Sequence, residues 1–213
     1  MARLMREDGF RRQQELRTFD PHVSAVNKFV DSLRDRDGRC WVPYVAPMHG
    51  GINSRLLFIL RDPGPATQIG VGSGFLCIEN DDPSAERQAR AFEAAGIDPG
   101  DALPWNIYPW YINKKPTAVQ RMAGVTVLVE LISLLQHLEV VLLQGGDAQD
   151  GWKLLEVAHP SLVADRGLHV ERTFHPSPQA LFHPDPAVRQ ARSRDREETL
   201  ARVASKLAGP GGV

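Results

Sequence analysis

The chain has 213 residues, 42% of them hydrophobic and 24% charged, with a net charge of −1. These figures describe an ordinary globular protein able to bury a full core in one domain, residues 1–213. The near-neutral charge argues against a protein that coats nucleic acid nonspecifically, while leaving room for a local basic rim, because phosphate contacts need only a few well-placed cations.

Residues 1–18 read as an N-terminal helical arm. Arg3, Arg6, Arg11, Arg12 and Arg17 alternate there with Glu7, Asp8 and Glu15, a solvated helix face rather than a targeting segment. Asp20-Pro21 places an N-cap before proline at the first helical position and opens a helix through Leu33, with Val23, Val26, Val30 and Leu33 on one side. Leu56–Leu60 is a short apolar strand. Asp82-Pro83 starts a helix to Ala95, which Gly96 closes. Ala102–Tyr108 is a second strand, Val119–Leu135 a buried crossover helix, and Val140–Leu143 and Leu168–Phe174 two further strands. Asp185-Pro186 opens the last helix, ending near Leu207, and residues 208–213 form a flexible tail.

Strands alternating with helices predict an α/β fold: three α/β/α layers around a central four-stranded parallel sheet. Two cysteines, Cys40 and Cys77, are too few for a disulfide framework or a four-cysteine cluster. The seven histidines include no pair at helix-ligand spacing, so neither a metal nor another cofactor is expected. No apolar run reaches the roughly 18 residues of a membrane span. A cytoplasmic monomer without a membrane partner is expected, nucleoid-associated if bacterial.

In open parallel sheets the ligand crevice lies beyond the carboxyl ends of the strands. Four unusual features fall there: Asp62 after the first strand, Asn106 late in the second, Gly145-Gly146 after the third and His175 after the fourth. Asp62-Pro63 and His175-Pro176 share a design, because each proline ends a strand and stiffens the loop beyond it.

These two segments resemble the signature motifs of the uracil-DNA glycosylase superfamily, over roughly residues 50 to 182. His175-Pro176-Ser177-Pro178 matches the second motif in full, and Asp62-Pro63 matches the start of the first. The resemblance implies that Asp62 activates water and His175 donates to the departing base. Phe75, in Gly72-Ser73-Gly74-Phe75, would stack the extruded ring, and Asn106, after Trp105, would read its edge. Pro63 and Gly64 would line the base pocket. Pro176, Ser177, Pro178 and Gln179 would meet the DNA, with Lys114 and Lys115 as a cationic rim. Gly145 and Gly146 would permit close backbone approach to DNA or tight packing of the following helix.

The chain departs from the family at three points. Gly64-Pro65 stands where the better-known uracil enzymes carry a Tyr-His pair that blocks thymine. Gln179 stands where an apolar wedge is usual; either Leu181 does that work or Gln179 does it poorly. The branch with an iron–sulfur cluster needs four cysteines. Glu79 and Asp81 have two readings, assistance to catalysis or capping of the next helix. The expected activity is a metal-independent, monofunctional glycosylase that removes uracil from DNA and leaves an abasic site, with DNA containing uracil or abasic sites as the expected partner. The rivals are a weakly active binder of such DNA and a small-molecule nucleoside or nucleotide enzyme. The absence of a Gly-x-Gly-x-x-Gly turn or a Walker loop after the first strand counts against the last.

Overall fold

A computed structural model describes residues 2–34 and 36–209. The chain runs α1 (Asp8–Leu16), α2 (Pro21–Leu33), β1 (Tyr44–Val45), β2 (Leu56–Leu60), β3 (Phe75–Leu76), α3 (Pro83–Ala95) and β4 (Ala102–Asn106). It continues with α4 (Ala118–Leu134), β5 (Val140–Gln144), α5 (Gly146–Ala158), α6 (Leu162–Asp165), β6 (His169–Thr173), α7 (Pro178–Leu181) and α8 (Pro186–Ala208).

The four expected strands form one sheet in the order β4-β2-β5-β6, every pairing parallel. Their apolar runs are continuous because both faces are covered. Leu57, Ile59, Trp105 and Leu143 pack under α2, α4 and α5, in a cluster with Val26, Leu128 and Trp152. On the other face Leu56, Phe58, Val140 and Leu142 meet Phe92 of α3 and Leu200 and Val203 of α8. Each such side chain contributes about 1.5–3 kcal/mol when fully withdrawn from water.

The register levels the strand ends. Leu60 pairs with Asn106, Ile59 with Leu143 and Gln144 with Thr173, so Asn106, Leu60, Gln144 and Thr173 stand in one row across the carboxyl edge. β4 ends two residues short of the expected Tyr108, although Ile107 N–H still donates to Leu60 O at 2.8 Å and Tyr108 N–H to Arg61 O at 3.1 Å. β6 is likewise one residue shorter at each end than Leu168–Phe174.

Capping follows the sequence at α3 and α8. Asp82 accepts from Ser84 N–H at 2.8 Å and Ala85 N–H at 3.0 Å, Gly96 adopts φ 69°, and Asp185 accepts from Ala187 N–H at 2.8 Å. Asp20 does not cap α2; its carboxylate takes the Arg17 guanidinium at 2.8 Å instead. α4 begins one residue earlier than expected, with a reciprocal Thr117–Gln120 capping box, and is buried on one face only: Val119 is 77% exposed.

The N-terminal arm is anchored rather than free. Met5 is buried, Leu4 N–H donates to Glu79 Oε2 at 3.0 Å, and Arg3 and Arg6 pair with Asp81. Beneath it β1 and β3 form a two-stranded parallel sheet that the sequence did not announce, since two-residue strands carry no periodicity. Residue 208 belongs to α8, Gly209 follows it, and the rest of the expected tail lies outside the described residues.

α4 and α5 press close to the segment after Asn106. A Cβ at Gly124 would lie 1.8 Å from Ile107 O, and one at Gly151 2.1 Å from Ile107 Cγ1. The first obstacle is backbone and cannot rotate away. Gly124→Ala should therefore cost about 1–3 kcal/mol of stability in urea unfolding. Gly9→Ala, a helical site with nothing within 4 Å, should match or slightly exceed the wild type. Equal midpoints for the two variants would show that α4 can back away from the strand end at no cost.

Candidate functional site

The carboxyl edge opens into a cavity of about 800 Å³. It lies on the α3/α8 side of the sheet, because Asn106, Leu60 and Gln144 share the parity of Ala102, Phe58 and Leu142, which pack there. Asp62, Pro63, Gly64, Asn106, Gly145 and Gly146 all line it. So do His175, Pro176, Ser177 and Gln179, so one cavity gathers most of the residues singled out from the sequence.

Asp62 stands two residues past β2, its side chain only 3% exposed. One oxygen accepts from the Arg61 guanidinium, and Oδ2 is buried without a partner. Burial raises its pKa, against the pull of Arg61 and of the Lys114 backbone N–H. Asp147, in the first turn of α5, adds like-charge repulsion. Asp147 also lines the cavity and is held by Arg121 at 3.2 Å and Lys115 at 3.7 Å.

His175 is fixed in one tautomer. Its Nδ1 accepts from Ser177 N–H at 3.0 Å, which leaves the ring proton of the neutral form on Nε2. Burial lowers its pKa to about 4, and the positive charges of Arg196 and Arg61 act in the same direction. The ring is therefore a neutral N–H donor near pH 7. Gly145 makes room for it: at φ 93° its added Cβ would lie 2.9 Å from His175 Cβ. The glycine thus serves the approach of the His175 loop, while Gly146 faces open space.

Among the described residues ten buried side-chain polar atoms lack a partner, and four of them belong to cavity-lining residues. These are Asp62 Oδ2, Asn106 Nδ2, Gln88 Nε2 and Gln144 Oε1. Each such atom costs about 1–3 kcal/mol when left unpaired. Their concentration at one place marks it as built to receive a polar ligand.

The loop carrying His175 is held from behind by α8. Arg196 donates to Phe174 O at 2.8 Å, Arg192 to Ala180 O and Phe182 O, and Arg189 to His183 O and Pro184 O. Ser177 caps α7, its Oγ accepting from Ala180 N–H at 3.3 Å, and Pro178 occupies the first helical position.

Several expectations need correction. Phe75 does not line the cavity: β3 seats it, 3% exposed, with Met5, Ala46 and Cys77 beneath the N-terminal arm. Among the described residues Phe58 and His175 are the aromatic rings that line the cavity. Pro178, Leu181, Lys114 and Lys115, expected to meet DNA rather than to line the pocket, lie off its wall, and Lys115 leans toward Asp147. The large exposed apolar side chains of this segment are Phe174, 38% exposed, and Phe182, 63% exposed at the end of α7, while Leu181 is half-buried. Glu79 and Asp81 anchor the N-terminal arm, and neither reaches the cavity. Sequence reasoning missed Gln88, Gln144, Asp147 and Arg196. Gln144 alone carried a signal, a polar residue closing an apolar strand at the same sheet edge.

Among the described residues no three His, Cys, Asp or Glu side chains gather in a way that could hold a metal ion, and no helix is long and apolar enough to cross a membrane. No protein-family model and no curated protein matches the sequence.

His49, which is buried, and His175, which is half-buried, are both pushed to about 4 by desolvation, below the ordinary 6.5. The unfolded chain binds their protons more readily, so their contribution to stability is complete above about pH 6.5 and is lost as the pH falls toward 4. The urea midpoint should drop across that window. Nitrogen NMR should show His175 as the Nε2-protonated neutral tautomer from pH 5 to 8; a midpoint of protonation near 6.5 would contradict this environment.

Proposed function

We propose that the protein is a DNA glycosylase that extrudes uracil from DNA and hydrolyses its N-glycosidic bond, leaving an abasic site. One observation carries the reading. A carboxylate with a free oxygen, an amide with a free N–H and a neutral imidazole donor face one cavity at the sheet edge. The resemblance of the Asp62-Pro63 and His175-Pro176-Ser177-Pro178 segments to the superfamily motifs points the same way.

The chemistry needs those three groups. Breaking the C–N bond sends its electron pair to the base and leaves an oxocarbenium-like sugar. His175 Nε2–H, on a neutral imidazole, donates to the base oxygen on which negative charge grows and keeps its proton. The carboxylate of Asp62 offsets the sugar's positive charge and orients the water whose oxygen bonds to the sugar carbon. Its raised pKa suits it to take that water's proton. Asn106 Nδ2–H meets a carbonyl of the base. Extrusion from the duplex costs a few kcal/mol, which a mispaired uracil reduces. Arg61, whose side chain is 42% exposed, and Lys115 stand near the mouth for phosphate.

Asp62→Asn should slow single-turnover excision from a uracil-containing oligonucleotide about a hundredfold, the loss of roughly 3 kcal/mol from the transition state, with little change in binding. A wild-type rate would remove Asp62 from the mechanism and shift attention to Asp147.

Gly64 has nothing within 4 Å of an added Cβ, so the wall there is open. Small 5-substituted uracils should be excised, more slowly than uracil, and Gly64→Tyr should suppress them while sparing uracil. If the wild type rejects them as sharply as the tyrosine variant does, another side chain fills that space.

A further inference from the structure

Most cations around the cavity are already matched by a carboxylate or screened by water. Arg61 is paired with Asp62, and Lys115 and Arg121 with Asp147. Arg87 of α3 is exposed to solvent. Arg196 of α8 differs: it is 5% exposed, and among the described residues no carboxylate pairs with it. Asp195, its neighbour in α8, is turned to Thr173, whose Oγ1 donates to it at 2.6 Å. What the guanidinium holds is neutral. Nη1 donates to Phe174 O at 2.8 Å and Nη2 to Gln88 Oε1 at 3.2 Å. Burial and the repulsion of Arg87 lower its pKa, against the pull of Asp195, but only to about 10, so it stays a cation near pH 7. A lone buried charge is costly to a fold. Beside a cavity, such a charge is matched when a negative charge forms there.

Arg196 does not itself line the cavity, so it acts on a ligand through the groups it holds. Gln88 is one of them. A guanidinium has only donors, so the amide turns its oxygen to Arg196 and leaves Nε2–H, without a partner, on the cavity wall. Gln144 Nε2 donates to the same oxygen at 2.7 Å and fixes that orientation. His175 is the other. Arg196 grips the carbonyl of the residue just before it. After the larger effect of burial, the charges of Arg196 and Arg61 help to hold the imidazole neutral. His175 therefore offers a hydrogen bond and no charge.

We infer that Arg196 is a positioning residue for the reaction, an unpaired cation behind the cavity wall that balances the charge of the departing base through Gln88 and His175. The inference rests on the glycosylase reading above. When the C–N bond breaks, its electron pair goes to the ring nitrogen and spreads onto the carbonyl oxygens, and His175 keeps its proton, so the base departs as an anion. The imidazole and the amides that meet it are neutral. The countercharge comes from α8.

The test separates charge from shape. Single-turnover excision is measured on oligonucleotides carrying one uracil or one 5-fluorouracil, whose fluorine already stabilises the anion, with the wild type, Arg196→Met and Arg196→Lys. Arg196→Met should slow uracil release about 10- to 100-fold and slow 5-fluorouracil release by a factor about threefold smaller. Arg196→Lys, which keeps the charge, should recover most of both rates. Independently of turnover, nitrogen NMR should place the protonation midpoint of His175 at about 4 in the wild type and in Arg196→Lys, and higher in Arg196→Met. If Arg196→Met fails to fold, Arg196→Gln, which keeps a donor for Phe174 O, carries the same comparison. Equal losses on the two bases would overturn the inference and leave Arg196 as a strut for the His175 loop. Equal losses accompanied by weaker DNA binding would overturn it in favour of a phosphate contact. A loss in Arg196→Lys as deep as in Arg196→Met would overturn it as well. In each of these cases uracil release by the wild type leaves the glycosylase reading standing, whereas release of neither base by the wild type would remove both readings.

Discussion

β2 carries no polar side chain from Leu56 to Leu60 and is hydrogen-bonded to a parallel neighbour on each edge. A strand of that kind is stable only when both faces are covered, and parallel neighbours require the chain to return to the same end before each new strand. Helices therefore lie on both faces, and the strands all emerge at one edge. The convergence of Asp62, Asn106, Gln144 and the Thr173–His175 segment follows from this constraint. The chain separates these residues widely, and the register brings them level.

That edge is where the molecule tolerates unfavourable terms. Asp62 Oδ2, Asn106 Nδ2, Gln88 Nε2 and Gln144 Oε1 are buried without partners, and Gly145 adopts a backbone conformation that L side chains rarely take. Buried amide side chains away from that edge are satisfied: Asn27 bonds Thr18 O, Val45 O and Val45 N–H, and Asn80 bonds Ser73 and Phe75. The large apolar clusters on either face of the sheet supply the stability against which such a site is set.

Rigidity at the site comes from an element remote in sequence. Arg189, Arg192 and Arg196 lie on one side of α8 at i, i+3 and i+7 and donate to backbone carbonyls from Phe174 to Pro184. The prolines stiffen the His175 loop locally, and the arginines hold it against the sheet. The same helix orients the Gln88 and Gln144 amides through Arg196, so loop position and wall polarity share one anchor.

The elements with strong local signals were legible in the sequence: the apolar strands, the Asp-Pro helix starts at Asp82 and Asp185, and the Gly96 stop. Strand order then placed Asp62, Asn106 and His175 at one edge, because period, capping and proline chemistry are local properties. Phe75, Gln88, Asp147 and Arg196 were decided only by tertiary structure. Nothing local tells a phenylalanine in a glycine loop whether it faces a cavity or the underside of an N-terminal arm; pairing of β3 with β1 settled that. Nothing local marks a glutamine in the middle of α3 as half of a donor–acceptor pair. Its meaning comes from a guanidinium 108 residues away that can only donate, and that contact exists only after the helices have packed on the sheet.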